Sequence, residues 1–255
     1  MNAVSPAIIK TILQLQSLPS LANFGLAGET NLALQYNHRI SDDIDLFCSE
    51  IIGLDGFYKI QEEVKARFGK NARNFDNPCD INNQYSFLRF FINTEDGTII
   101  KVDVLQNMKY LFEIETVNDI RLFSKADIGL YKLVSLSNRS TKKDIYDLDF
   151  ITDEIKLSTL YECLKEKAKK FNKKEHKTIF DLDENQTVLD NLELLIRFDN
   201  ITASSKFPTH THDNIKITEG SKTWVESKIS WRSKVRRLYN HLGIDFPKPK
   251  GLNIP

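Results

Sequence analysis

Cysteine is scarce in this 255-residue chain: the three present, Cys48, Cys79 and Cys163, form an odd set with no metal-ligand spacing. That argues against a disulfide framework or a thiolate zinc centre and points to the reduced cytoplasm. No apolar run approaches the length needed to span a membrane. Internal repeats are missing as well. The formal charge balance is zero, which excludes a protein basic all over while leaving room for local fields. The opening residues, MNAVSPAIIKTILQLQ, are too polar for a signal peptide. They read as an amphipathic helix that packs on the core through Ile8, Ile9, Ile12, Leu13 and Leu15. What remains is ordinary: 27% charged residues and 16 Phe, with enough chain to bury a sizeable core as one large domain or two smaller ones.

The informative stretch runs from Phe24 to Phe47, FGLAGETNLALQYNHRISDDIDLF. Phe24 to Ala27 predicts a short strand, Gly28 a turn, Thr30 to Tyr36 a helix, and DDIDLF a second strand. In an extended strand alternate side chains share a face, so Asp43 and Asp45 present two carboxylates to one side while Ile44 enters the core. Asp42, adjacent rather than alternate, faces away and takes no ligand role. Paired carboxylates suit a hard divalent cation such as Mg²⁺, which shares its oxygen ligands with substrate phosphates. The glycine turn opening a helix offers unpaired N–H groups and the positive end of a dipole, and the Thr30 hydroxyl adds a donor, so a triphosphate can rest there. Each half of this signal is weak alone; in this order and spacing they reinforce one another.

Further along, TIIKVDVL alternates so that Ile99, Lys101, Asp103 and Leu105 share one face and Ile100, Val102 and Val104 the other. The apolar face supplies packing. The mixed face borders a cleft, with Asp103 opposite the aspartate pair or, in the plainer reading, paired with Lys101. Tyr85 to Asn93 predicts the preceding strand, joined to it by an Asp96-Gly97 hairpin turn. Leu54 to Phe68 reads as a helix, and Asn71 to Asn83 as a loop. From Lys125 to Ile151 two helices are expected, broken near Asn138 to Thr141, with Asp144 and Asp147 on one face of the second. Arg39 is suited to steer phosphate or to pair with Asp42, and Ser41 to cap the turn into the strand.

These residues carry a family resemblance. Gly28-Glu29-Thr30, then His38-Arg39-Ile40-Ser41-Asp42-Asp43-Ile44-Asp45-Leu46-Phe47, then Lys132, Arg139 and the KKDIYDL run from Lys142 to Leu148 resemble the motifs of the AbiEii/AbiGii toxin family of nucleotidyl transferases, within the polymerase-β-like superfamily. The resemblance spans roughly Phe24 to Phe150. It implies an α/β (α+β) fold: a polymerase-β-like nucleotidyltransferase core with a small mixed sheet in residues 1–120, followed by a mostly helical part in 121–255 that completes the cleft. It implies Asp103 as third metal ligand and acceptor-activating base, shared with Asp144, and Lys132 as a phosphate-binding point charge. Its implied reaction is Mg²⁺-dependent transfer of a nucleoside monophosphate from an NTP. The implied acceptor is RNA, with transfer RNA foremost, in a toxin–antitoxin or phage-defence setting with a cognate antitoxin protein as partner. One departure stands out. Where the family has a second glycine this chain has Glu29, whose carboxylate is expected to turn outward to solvent at the helix start.

Beyond Phe150 helices are expected at Leu157 to Phe171, Thr187 to Phe198 and Trp224 to Leu242, the last stopped by Gly243. The last is basic, through Lys228, Arg232, Lys234, Arg236 and Arg237, which reads as a solvated face or a guide for nucleic acid. His210 and His212 read as a polar loop. Two other functions stay open: an antibiotic-type transferase with a small-molecule acceptor, and a silent member of the fold that binds without turnover.

Overall fold

A computed structural model describes residues 3–78, 83–137, 141–181, 186–199 and 214–248. The N-terminal helix α1 (Pro6–Gln16) starts at Ser5, whose hydroxyl accepts from the Ile8 N–H, and at Pro6 in the first turn. Its buried side chains, Ile8, Ile12 and Leu15, fit the expected amphipathic stripe, while Leu13 lies outside it. There follow β1 (Gly25–Ala27), α2 (Gly28–Tyr36), β2 (Ile44–Phe47), α3 (Gly53–Phe68), β3 (Ala72–Asp76), β4 (Phe87–Asn93), β5 (Ile99–Leu105), β6 (Glu115–Val117) and β7 (Ile120–Leu122). Then come α4 (Lys125–Ser135), α5 (Lys142–Glu154), α6 (Leu157–Lys170) and α7 (Trp224–Leu242).

The strands form one mixed seven-stranded sheet in the order β3-β4-β5-β2-β1-β7-β6. Parallel pairing of β2 with β5 puts Asp45 beside Asp103, and antiparallel pairing of β4 with β5 puts Arg89 on the far side of Asp103. One face of the sheet is closed by α1 and α3. There Ile44, Leu46, Leu88, Phe90, Ile92, Ile100, Val102 and Val104 meet Ile8, Ile12, Leu15, Phe57, Ile60 and Val64. On the other face a second core, built from α4 to α7, takes in Phe47 and packs against Leu105, with no residue from β3 or β4. Among the described residues, the β3–β4 half of that face thus lies outside this helical core.

Three differences from the sequence reading have physical causes. The expected loop at Asn71 to Asn83 contains β3, whose polar residues hide a strand that packs through Phe75 stacked on Phe90, centroids 5.1 Å apart. The hairpin β6–β7 turns at Asn118 and Asp119, both with positive φ, in polar residues that give little apolar alternation. The expected helix at Thr187 to Phe198 is a 3₁₀ segment, Leu192–Asp199. Asn138, Arg139, Cys79, His210 and His212 lie outside the described residues.

The C-terminal helix is tightly fastened. A capping box joins Thr223 and Glu226 at its start. Fully buried Asp149 of α5 accepts from Ser227 (3.0 Å), Ser230 (2.6 Å), Lys222 (2.7 Å) and Lys234 (2.6 Å). Just before α7 the chain bonds back to the turn ahead of β2, Ile40 N–H donating to the Lys216 carbonyl at 2.8 Å. No described helix is long and apolar enough to cross a membrane.

Candidate active site

Gly28 sets the geometry of the cleft. Its φ is +61°, a conformation that costs other residues dearly, and a Cβ placed there would stand 1.9 Å from Asp45 Oδ2. The turn can exist, and Asp45 can lie against it, only because position 28 has no side chain. No side chain caps the first turn of α2, so its leading N–H groups and dipole have no side-chain acceptor at the cap.

Asp43 precedes β2 by one residue and shares the face of Asp45. Lys101, from β5, reaches Asp43 at 2.8 Å and Asp103 at 3.7 Å. Burial, then the neighbouring Asp103, pushes the Asp45 carboxyl up to about 7. Among the described residues Asp45 itself has no cation paired to it, and the donors that it and Asp43 offer are hard oxygens. Asp43 and Asp45 thus fit a divalent cation whose remaining ligands come from phosphate and water.

Asp103 fits less well. Both of its oxygens are taken by the Arg89 guanidinium, Nε to Oδ1 at 2.7 Å and Nη2 to Oδ2 at 2.8 Å. Among the described residues no three His, Cys, Asp or Glu side chains are grouped to hold a metal. Of the three expected aspartates, Asp103 is the one paired to an arginine.

Thr30 is also placed differently from expectation. Its hydroxyl is buried, donates to the Asp43 carbonyl and lies 2.7 Å from Ser41 Oγ. It fixes the start of α2 to the turn before β2 and shapes the cradle indirectly. Ser41 is spent on the same contact.

Behind the cradle runs a chain of alternating charges. The buried Arg39 donates twice to Asp147 at 2.7 Å and once to Glu29 at 2.8 Å. Lys132 sits between Asp147 (2.7 Å) and Asp144 (2.9 Å), and His38 Nε2 meets Asp147 at 2.8 Å. Burial alone would raise the Asp147 carboxyl; Arg39 and Lys132 outweigh it and hold Asp147 well below the usual range. For Lys132, burial works against the charge, yet Asp144 and Asp147 hold it protonated. Arg39 Nη1 and His38 Nδ1 are buried without a hydrogen-bond partner among the described residues.

Two expectations are reversed here. Glu29 does not face solvent: it turns inward to Arg39, with Lys143 at 3.9 Å and its side chain 21% exposed. Arg39 leaves Asp42 to Lys216 and takes Asp147 instead. Asp147, ranked behind Asp144 on sequence, is the hub. The register of the Asp96-Gly97 hairpin could have revealed Arg89 beside Asp103. Nothing local announces that Arg39 meets a residue 108 positions later.

Comparison with known proteins adds an independent line. A family model described as the nucleotidyl transferase AbiEii toxin of type IV toxin–antitoxin systems matches residues 17–220. An uncharacterized protein of Aquifex aeolicus is 29% identical over 143 residues, 53% of this chain and 60% of its own length. The solved structure of MenT4, a nucleotidyltransferase toxin from Mycobacterium tuberculosis, superposes with a TM-score of 0.53 at 15% identity, covering 94% of this chain and 83% of that one. It shares the fold. An aminoglycoside 6-adenyltransferase from Bacillus subtilis reaches a TM-score of only 0.26 at 13% identity over 94% of this chain and 92% of its own, too low to carry an argument.

Proposed function

The chain belongs to the AbiEii family of nucleotidyl transferase toxins of type IV toxin–antitoxin systems, and from that premise we propose that it moves a nucleoside monophosphate from an NTP onto an RNA hydroxyl, with transfer RNA the expected acceptor and pyrophosphate released. The observation that carries the proposal is the placement of Asp45, two residues from Asp43, against Gly28 at the uncapped start of α2. Phosphoryl transfer needs an anion seat next to a cation seat, and this is both.

Asp43 and Asp45 would hold Mg²⁺, which when bound neutralises phosphate charge. The Gly28 turn and first turn of α2 seat the triphosphate. Arg39 and Lys132, kept charged by Asp147 and Asp144, stand behind that seat, where they offset the carboxylates around it. The acceptor oxygen bonds to the α-phosphorus, the bond from that phosphorus to the pyrophosphate oxygen breaks, and the hydroxyl proton passes to Asp103. We assign nucleotide seating to residues 1–120 and closure of the cleft to 121–255. A cognate antitoxin is the second expected partner, and the free thiols Cys48 and Cys163 support the cytoplasm as its place.

The inward Glu29 favours a second reading, in which the cradle is blocked and the protein binds without turnover. Purified protein with Mg²⁺, each labelled NTP in turn and total bacterial RNA, beside an Asp43→Ala/Asp45→Ala control, separates the two. Label entering a tRNA-sized band only with intact aspartates supports transfer to RNA. Label on another acceptor, or no Mg²⁺-dependent NTP binding at all, overturns it.

A further inference from the structure

The triphosphate seat lies on the β1–α2 side of the aspartates, so an acceptor must approach from the other side. There the sheet continues through β5, β4 and β3, and among the described residues the α4–α7 core takes no side chain from β4 or β3. At about 4.8 Å per strand, β2 to β3 spans roughly 14 Å, room for a few unstacked nucleotides.

Cross-strand register specifies what this shelf presents. Arg89 adjoins Asp103, Phe91 adjoins Lys101, and Arg73 of β3 adjoins Phe91. Phe91 is half-buried, Arg73 is exposed, and Ile99 is 54% exposed at the end of β5. Arg73 makes no ion pair among the described residues. The flat Phe91 ring between Lys101 and Arg73, with Ile99 beside it, suits a base that stacks while a phosphate meets positive charge.

We propose that this shelf seats the unpaired 3′ end of the acceptor RNA, the last bases lying over Phe91 and Ile99, a backbone phosphate at Arg73, and the terminal ribose hydroxyl delivered to the Asp45–Asp103 end. The inference rests on the RNA-transferase reading and adds where, and in what form, the RNA binds. An added protein strand suits the site less. Among the described strands the edge on this side is β3, broken by a bulge between Arg73 and Asp76 with Asn74 left-handed. A small acceptor would want a concavity where this face offers an open sheet.

The test is fluorescence anisotropy with a 5′-labelled single-stranded RNA bearing a free 3′ hydroxyl, run on wild type, Arg73→Glu, Phe91→Ala and the α7 variant Lys228→Glu/Arg237→Glu. Loss of one stacking partner is expected to weaken binding about 10-fold in Phe91→Ala. Arg73→Glu should weaken it at least as much and flatten the salt dependence. Phe91→Tyr should restore binding, and NTP affinity, read with a fluorescent analogue, should stay unchanged in both shelf variants as proof of folding. The shelf is refuted if these variants bind and accept label as wild type does, if the α7 variant takes the whole loss, or if a blunt duplex competes as well as the single strand. If wild type neither binds nor labels RNA yet turns over NTP on another acceptor, the RNA reading itself falls, and the shelf with it.

Discussion

Replacing Glu29 by glutamine should tighten nucleotide binding. Glu29 places a negative charge at the start of α2, 2.8 Å from Arg39 and inside the seat assigned to the triphosphate. A phosphate charge about 6 Å away would be repelled by at most roughly 3 kcal/mol at an effective dielectric of about 20. Arg39 and Lys143 offset much of this, leaving on the order of 1.5 kcal/mol. That corresponds to about a 10-fold gain in affinity for the neutral variant. The substitution also loosens the one Arg39 Nη2 N–H that Glu29 holds, which acts in the same direction. Its structural cost is small, because Arg39 keeps both bonds to Asp147. A loss of about 1 kcal/mol would lower Tm by about 2–4 °C. Calorimetric titration of Mg²⁺ and NTP into both proteins, with thermal melts alongside, measures the two effects separately. Unchanged or weaker binding by Glu29→Gln in a protein that melts within a few degrees of wild type would refute the reasoning. Glu29 would then serve to hold Arg39 and would not compete with phosphate.

Gly28→Ala should abolish Mg²⁺-dependent transfer and lower stability by about 1–2 kcal/mol, because a Cβ strains the left-handed turn and displaces Asp45; transfer assays and melts check both halves. Asp147→Asn should cost about 3–5 kcal/mol, since it leaves Arg39 and Lys132 buried without their shared counter-charge. The pH dependence follows from the same carboxylate. Its folded pKa lies well below the unfolded value of 3.8, so its contribution is present above about pH 4 and lost as pH falls through the folded value. Acid titration of stability below pH 4 should therefore be shallower in the variant than in wild type.

Local features of the cleft were legible in the sequence. Alternation in DDIDLF and TIIKVDVL fixed which side chains share a face, and the single glycine before α2 marked the turn. These signals work because strand geometry and φ > 0 are properties of a few consecutive residues. The charge chain behind the cleft was not legible, since Arg39 and Asp147 meet only after α5 docks on α2. Glu29 was misjudged for the same reason: at a helix start solvent is its default, and only a buried guanidinium from the next turn draws it inward. Likewise β3 was lost in polar residues, because an edge strand needs only Phe75 to anchor it.

The clasp around Asp149 bears on where the folding unit ends. Similarity to the family stops at residue 220, yet the two lysines that neutralise Asp149 come from positions 222 and 234. Helix α5 turns Asp144 and Asp147 toward Lys132 and Arg39 and Asp149 toward α7, so one rod is loaded on two faces. A stretch bounded by kinship alone would leave a carboxylate sealed in the protein interior without its cations. The helix beyond the matched stretch is, electrostatically, the partner that α5 needs.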